Sequence, residues 1–118
     1  MQGKTIIKVD IDSIYVDRDA LKKRIKDIMR IYKVNKVSVK EARTHKGYHF
    51  YVEFPCDISD FEVIIIQLML DSDLERELFN LERVKKGVQG WNVLFSVKKL
   101  KDKIVSRESD LIYFDVER

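Results

Sequence analysis

Apolar positions in residues 4–11 recur every second residue. Thr5, Ile7, Val9 and Ile11 fall on one side, and Lys4, Ile6, Lys8 and Asp10 on the other. A period of two carried by β-branched residues predicts a strand. Further on the period lengthens. Leu21, Ile25, Ile28, Met29 and Tyr32 recur at helical spacing, and Lys22, Lys23, Lys26, Arg30 and Lys33 occupy the opposite side. This predicts an amphipathic helix with a basic outer face, opened by Asp17 or Asp19 as N-cap. Val37 and Val39 begin a second strand. Tyr48, Phe50, Val52 and Phe54 mark a third, with His49, Tyr51 and Glu53 on its other side. The turn Arg43-Thr44-His45-Lys46-Gly47 joins them, with Gly47 expected to supply a positive φ. Residues 36–54 therefore read as a β-hairpin, which Pro55 ends.

Ser59-Asp60-Phe61-Glu62 has the spacing of a capping box. The helix it opens, to about Leu70, is apolar nearly all round, which predicts burial. Ser72-Asp73-Leu74-Glu75 has the same spacing. Leu74, Leu78 and Leu81 continue at helical period toward a stop at Gly87. Residues 91–97 read as a fourth strand with Trp91 in the core, Lys98–Lys103 as a charged connector, and Leu111–Val116 as a last short strand. The order is β-α-β-β-α-(α)-β-(β). It predicts an α+β fold of the ferredoxin-like (split βαβ) kind over residues 1–118 as a single domain, an antiparallel sheet with helices on one face. Such a sheet leaves its other face open for function.

Composition narrows the class. With 45% apolar and 36% charged residues the chain is globular. No apolar run approaches the roughly 20 residues of a membrane span, and no secretory leader is read at the N-terminus. The single cysteine, Cys56, excludes an internal disulfide and reads as a small apolar filler. A cytoplasmic protein is expected, in the host cell if the source is a virus. The wealth of Lys, Arg, Glu, Asp and Ile leans toward a thermophilic source.

The net charge of +3 hides a strong sorting. Residues 1–56 carry +6, residues 57–82 carry −7, residues 83–107 carry +7 and residues 108–118 carry −3. Basic blocks attract phosphate, and blocks of opposite sign also suit pairing between two copies of the chain.

One constellation suggests chemistry. Asp10 and Asp12 are two apart, so on a strand both carboxylates point the same way and can share Mg²⁺ or Mn²⁺. His49 lies on the polar side of the third strand, where it would meet them across the sheet and contact a phosphate. Val9-Asp10-Ile11-Asp12 followed by Lys46-Gly47-Tyr48-His49-Phe50-Tyr51-Val52 resembles the first two catalytic motifs of archaeo-eukaryotic primases. The resemblance implies a palm-like sheet, Asp10 and Asp12 as metal ligands, His49 on the nucleotide's phosphates, and Asp115 as the third aspartate. The family's Ser-Gly is Arg43-Thr44 here, and no zinc-binding segment is present. The chain also resembles small uncharacterised proteins of archaeal viruses and plasmids.

Lys40, Arg43, His45 and Lys46 crowd the hairpin, as in proteins that grip a phosphate backbone. Tyr51, on the His49 side, is placed to stack on a base. The leading expectation is a sequence-nonspecific DNA- or RNA-binding protein, replication-associated, that requires no cofactor. A minimal or degenerate metal-dependent nucleotidyl transferase and a homodimeric interaction module are the alternatives. A homodimer is expected in any case, because sheet edges invite pairing.

Overall fold

Ile7 and Val9, alternate residues of the first predicted strand, have no exposed surface and form the centre of the core. A computed structural model describes residues 3–118, apart from the side chain of Leu100. Its elements are β1 (Thr5–Ile11), α1 (Arg18–Tyr32), β2 (Lys36–Arg43), β3 (Tyr48–Phe54), α2 (Asp60–Met69), α3 (Leu74–Lys85), β4 (Val97–Leu100), β5 (Lys103–Arg107) and β6 (Ser109–Glu117). Four strands form one antiparallel sheet in the order β1-β3-β2-β6, while β4 and β5 form a separate hairpin. Among the described residues no helix is long and apolar enough to cross a membrane.

The inner face of the sheet carries Ile7, Val9, Val37, Val39, Phe50, Val52, Phe54 and Val116. Against it pack Leu21, Ile25, Ile28 and Met29 of α1 and Val63, Ile64, Ile66 and Leu70 of α2. Asp17 caps α1, accepting the Ala20 N–H at 3.0 Å. Near the start of α1, Arg18 forms two 2.7 Å hydrogen bonds with the buried carboxylate of Glu41 on β2. Gly47 does not take a positive φ. It is needed for a different reason: a Cβ there would collide with the backbone oxygen of Ile11 and with the backbone of Ser13.

The α+β class and the helix-covered face hold, but the last strand departs from ferredoxin-like order. β1 and β2 run in the same direction with β3 between them, as a split βαβ unit requires. A second such unit would return the last strand to the free edge of β1. Here β6 lies beside β2 instead, because the edge of β1 is already occupied. The Lys8 N–H donates to Gln67 Oε1 at 2.9 Å and the Asp10 N–H to Ser72 Oγ at 3.0 Å. The Lys8 carbonyl accepts from Arg76 at 3.0 Å and the Asp10 carbonyl from the Asp73 N–H at 2.7 Å. Polar groups of α2, α3 and the turn between them thus stand where another strand would be.

This sealing explains three departures in the helices. Ser72 is not the N-cap of α3. Asp73 takes that place, accepting the Arg76 N–H at 2.9 Å, and frees Ser72 for β1. α3 turns Glu77 and Asn80 inward and leaves Leu74 and Leu78 exposed, the reverse of its apolar pattern. Glu77, 1% exposed, accepts from Gln67 Nε2 at 2.6 Å, Ser72 Oγ at 2.7 Å, Asn80 Nδ2 at 3.1 Å and from Arg76. α2 is buried on one side only: Phe61, Ile65, Leu68 and Met69 are exposed.

Residues 91–96, anchored by buried Trp91, form no strand, so the predicted fourth strand begins only at Val97. The supposed connector 98–103 is the body of the β4–β5 hairpin. Its turn residues, Lys101 and Asp102, have φ of 50° and 64°. Two successive positive φ values are the signature of a type I′ hairpin turn.

Candidate functional site

Antiparallel pairing places Asp10 of β1 directly opposite His49 of β3 on the outer face of the sheet. The alternation of each strand decides this: Val9 and Phe50 point inward, so their neighbours point out. His49 Nε2 lies 3.4 Å from Asp10 Oδ1, and Nδ1 lies 2.8 Å from Oε2 of Glu108. Glu108 belongs to the connector between β5 and β6, and its carboxylate also accepts the Tyr51 hydroxyl. The His49 side chain is 10% exposed and sits between two carboxylates.

Electrostatics follow from this geometry. Burial pulls the His49 pKa down, but hydrogen bonds to Asp10 and Glu108 outweigh it and hold the group above its usual 6.5. Burial alone would raise Asp10; His49, with Arg76 and Lys98 nearby, holds its carboxyl below the usual 3.8. Burial and then Glu108 push the Tyr51 phenol up. Lys8, with its ammonium on the Asn92 carbonyl at 2.8 Å, is pulled down by burial and by Arg76. These contacts favour the protonated imidazole, which bridges β1, β3 and the β5–β6 connector.

A folded-state pKa raised above the unfolded value stabilises the fold while the group is protonated. The His49 contribution is complete below about pH 6.5 and is lost as pH rises through the folded-state value. Urea midpoints of the wild type are expected to fall between neutral and alkaline pH. His49→Gln is expected to flatten that part of the profile. An equal slope in both proteins would show that the clamp titrates no proton there.

The other expected catalytic residues do not join this pair. Asp12 lies beyond the end of β1 and is exposed. Asp115 shares the outer face but sits opposite Ser38, at the other end of the sheet and across its full width, and pairs with Lys36 at 3.2 Å. Strand spacings put Asp10 and Asp115 on the order of 20 Å apart. Among the described residues no three His, Cys, Asp or Glu side chains converge as a metal group would need. Asp10, Asp12 and Asp115 thus do not fit a shared Mg²⁺ or Mn²⁺. Both nitrogens of His49 face carboxylates, which leaves neither to hold a phosphate.

The expected nucleic-acid contacts divide into two groups. Lys40 and Tyr51 are occupied with each other, the ammonium lying 4.4 Å from the ring centroid, and Tyr51 is further engaged by Glu108. Residues 91–108 cross part of the outer face, so the sheet is not the bare platform the sequence suggested. Arg43, His45 and Lys46 are exposed at the β2–β3 turn. The turn meets β5, where the His45 N–H donates to Ser106 Oγ at 3.3 Å. Between them lies an open groove of about 410 Å³ lined by Arg43, Thr44, His45, Ile104, Arg107 and Asp110, among others. The β4–β5 hairpin adds exposed Lys98, Lys99, Lys101 and Lys103.

Sequence reasoning missed Glu108. A single carboxylate at the seam between a basic and an acidic block carries no local signal of its partners. The lysines of 98–103 read from sequence only as a charged connector.

Comparison with protein-family models, with curated proteins and with solved structures finds no match to this chain.

Proposed function

We propose that the protein binds DNA or RNA without sequence preference, through the basic groove between the β2–β3 turn and the β4–β5 hairpin. One observation carries this reading. Two segments far apart in the chain, 43–45 and 104–110, line a single open groove that brings Arg43, His45 and Arg107 together. Convergent cations on an exposed rim attract a polyphosphate backbone and release its counterions. Groove cations at the end of β2, on the β2–β3 turn and at the end of β5 suit contact with phosphates, which carry no sequence information. The primase-like motifs support a replication-associated setting only through the Asp10–His49 pair. No observation favours metal-dependent nucleotidyl transfer.

Fluorescence anisotropy with labelled single- and double-stranded DNA and RNA tests the reading. Contact with four phosphates would weaken affinity by about 50- to 150-fold between 50 and 200 mM salt. Arg43→Ala, Lys46→Ala and Arg107→Ala are each expected to lower the logarithmic salt slope by about one, on all sequences alike. Absence of binding at low salt, or an unchanged slope in all three variants, would sink the proposal.

A further inference from the structure

The two edges of the sheet are treated differently. β1 is sealed by Gln67, Ser72, Asp73 and Arg76, whereas β6 pairs with β2 on one side and, among the described residues, with nothing on the other. The alternation of backbone groups identifies what the open edge presents. The N–H groups of Lys8 and Asp10 point away from the sheet, so the odd-numbered residues of β1 bond β3. Carried through the registers, the odd residues of β3 bond β2, the odd residues of β2 bond β6, and the even residues of β6 turn back to β2. The Arg118 N–H on the Asn35 carbonyl at 2.9 Å agrees with this parity. Leu111, Tyr113, Asp115 and Glu117 therefore offer their N–H and C=O groups outward. Leu111, Ile112 and Tyr113 are also exposed, Tyr113 by 69%.

We infer that β6 is a dimerisation strand, which pairs antiparallel with β6 of a second copy about a two-fold axis through Tyr113. Tyr113 is the midpoint of the strand Ser109–Glu117, and with Asp110 at a φ of 49° the regular ladder of this register runs from Leu111 to Asp115. It sets Ile112 against Phe114 and Leu111 against Asp115. No acid then opposes an acid, and the apolar residues on the helix side meet each other. The outward parity makes Tyr113 and its symmetry mate a hydrogen-bonded pair. The dimer continues two four-stranded sheets into one.

The contact is small, which places it among weak interfaces. Lys22, whose ammonium lies 5.1 Å from the centroid of the Phe114 ring, approaches its counterpart across the axis. Added salt should therefore strengthen the dimer, the opposite of its effect on nucleic-acid binding.

Sedimentation at on the order of 100 μM, the range suited to weak interfaces, is expected to show species approaching twice the 14.0 kDa chain mass. Tyr113→Pro removes an outward N–H and no bond to β2. It should give a monomer with an unchanged circular dichroism spectrum. The register is tested with cysteines in a Cys56→Ser background. Tyr113→Cys places two Cα atoms about 5.5 Å apart, within disulfide range. Leu111→Cys places its pair more than about 10 Å apart. Mild oxidation should cross-link the first variant and not the second. A monomer at every salt concentration, a Tyr113→Pro dimer, or equal cross-linking of both cysteine variants would overturn the inference.

Discussion

Glu77→Ala is expected to cost about 3–5 kcal/mol, the range for breaking a buried ion pair by removing one partner. The carboxylate accepts hydrogen bonds from Gln67, Ser72, Asn80 and Arg76 while almost fully buried. Its loss leaves a guanidinium and several donors without an acceptor, in a protein whose total stability is of order 5–15 kcal/mol. Glu77→Gln keeps the volume and one acceptor and should cost less, about 1–3 kcal/mol. Urea unfolding measures both. The same change should loosen the β1 edge, because Gln67, Ser72 and Arg76 are held in place by Glu77. Amide exchange at Lys8 and Asp10 should quicken before the rest of the sheet. A cost below about 1 kcal/mol for Glu77→Ala would show that the helices seal β1 without this hub.

Phe50→Ala is expected to cost a similar 3–5 kcal/mol, through lost burial and the cavity left behind. Phe50 has no exposed surface and lies on β3, flanked by β1 and β2. Phe61→Ala, at a 54% exposed residue on the outer side of α2, should stay within about 0.5 kcal/mol. The comparison tests how α2 is docked, because its sequence is apolar on both sides. Equal costs in urea unfolding would mean that the helix is rotated about its axis relative to the arrangement described.

That pair also shows where the sequence stops being legible. β1, α1 and the β2–β3 hairpin are readable because each has one apolar and one polar side, so period and face are fixed together. α2 has two apolar sides, and nothing local decides which one finds the sheet. α3 misleads outright: Leu74 and Leu78 repeat like a core face, but the partner offered to the helix is the polar backbone edge of β1, which Arg76 bonds while Glu77 holds Arg76 in place. The β4–β5 hairpin is hidden because Lys101-Asp102 makes the turn in place of the usual Asn-Gly. The closeness of Asp10 and His49 follows from alternation alone. Glu108, the third member, reaches His49 from a connector whose path no periodicity encodes.

The sealed rim of β1 sets a ceiling on assembly. A sheet with two bare rims can recruit copies without end, which is the geometry of fibrils. Here growth has one direction, and a two-fold union at the opposite rim exhausts it. If β6 pairs as proposed, strand pairing through this four-stranded sheet would stop at two copies.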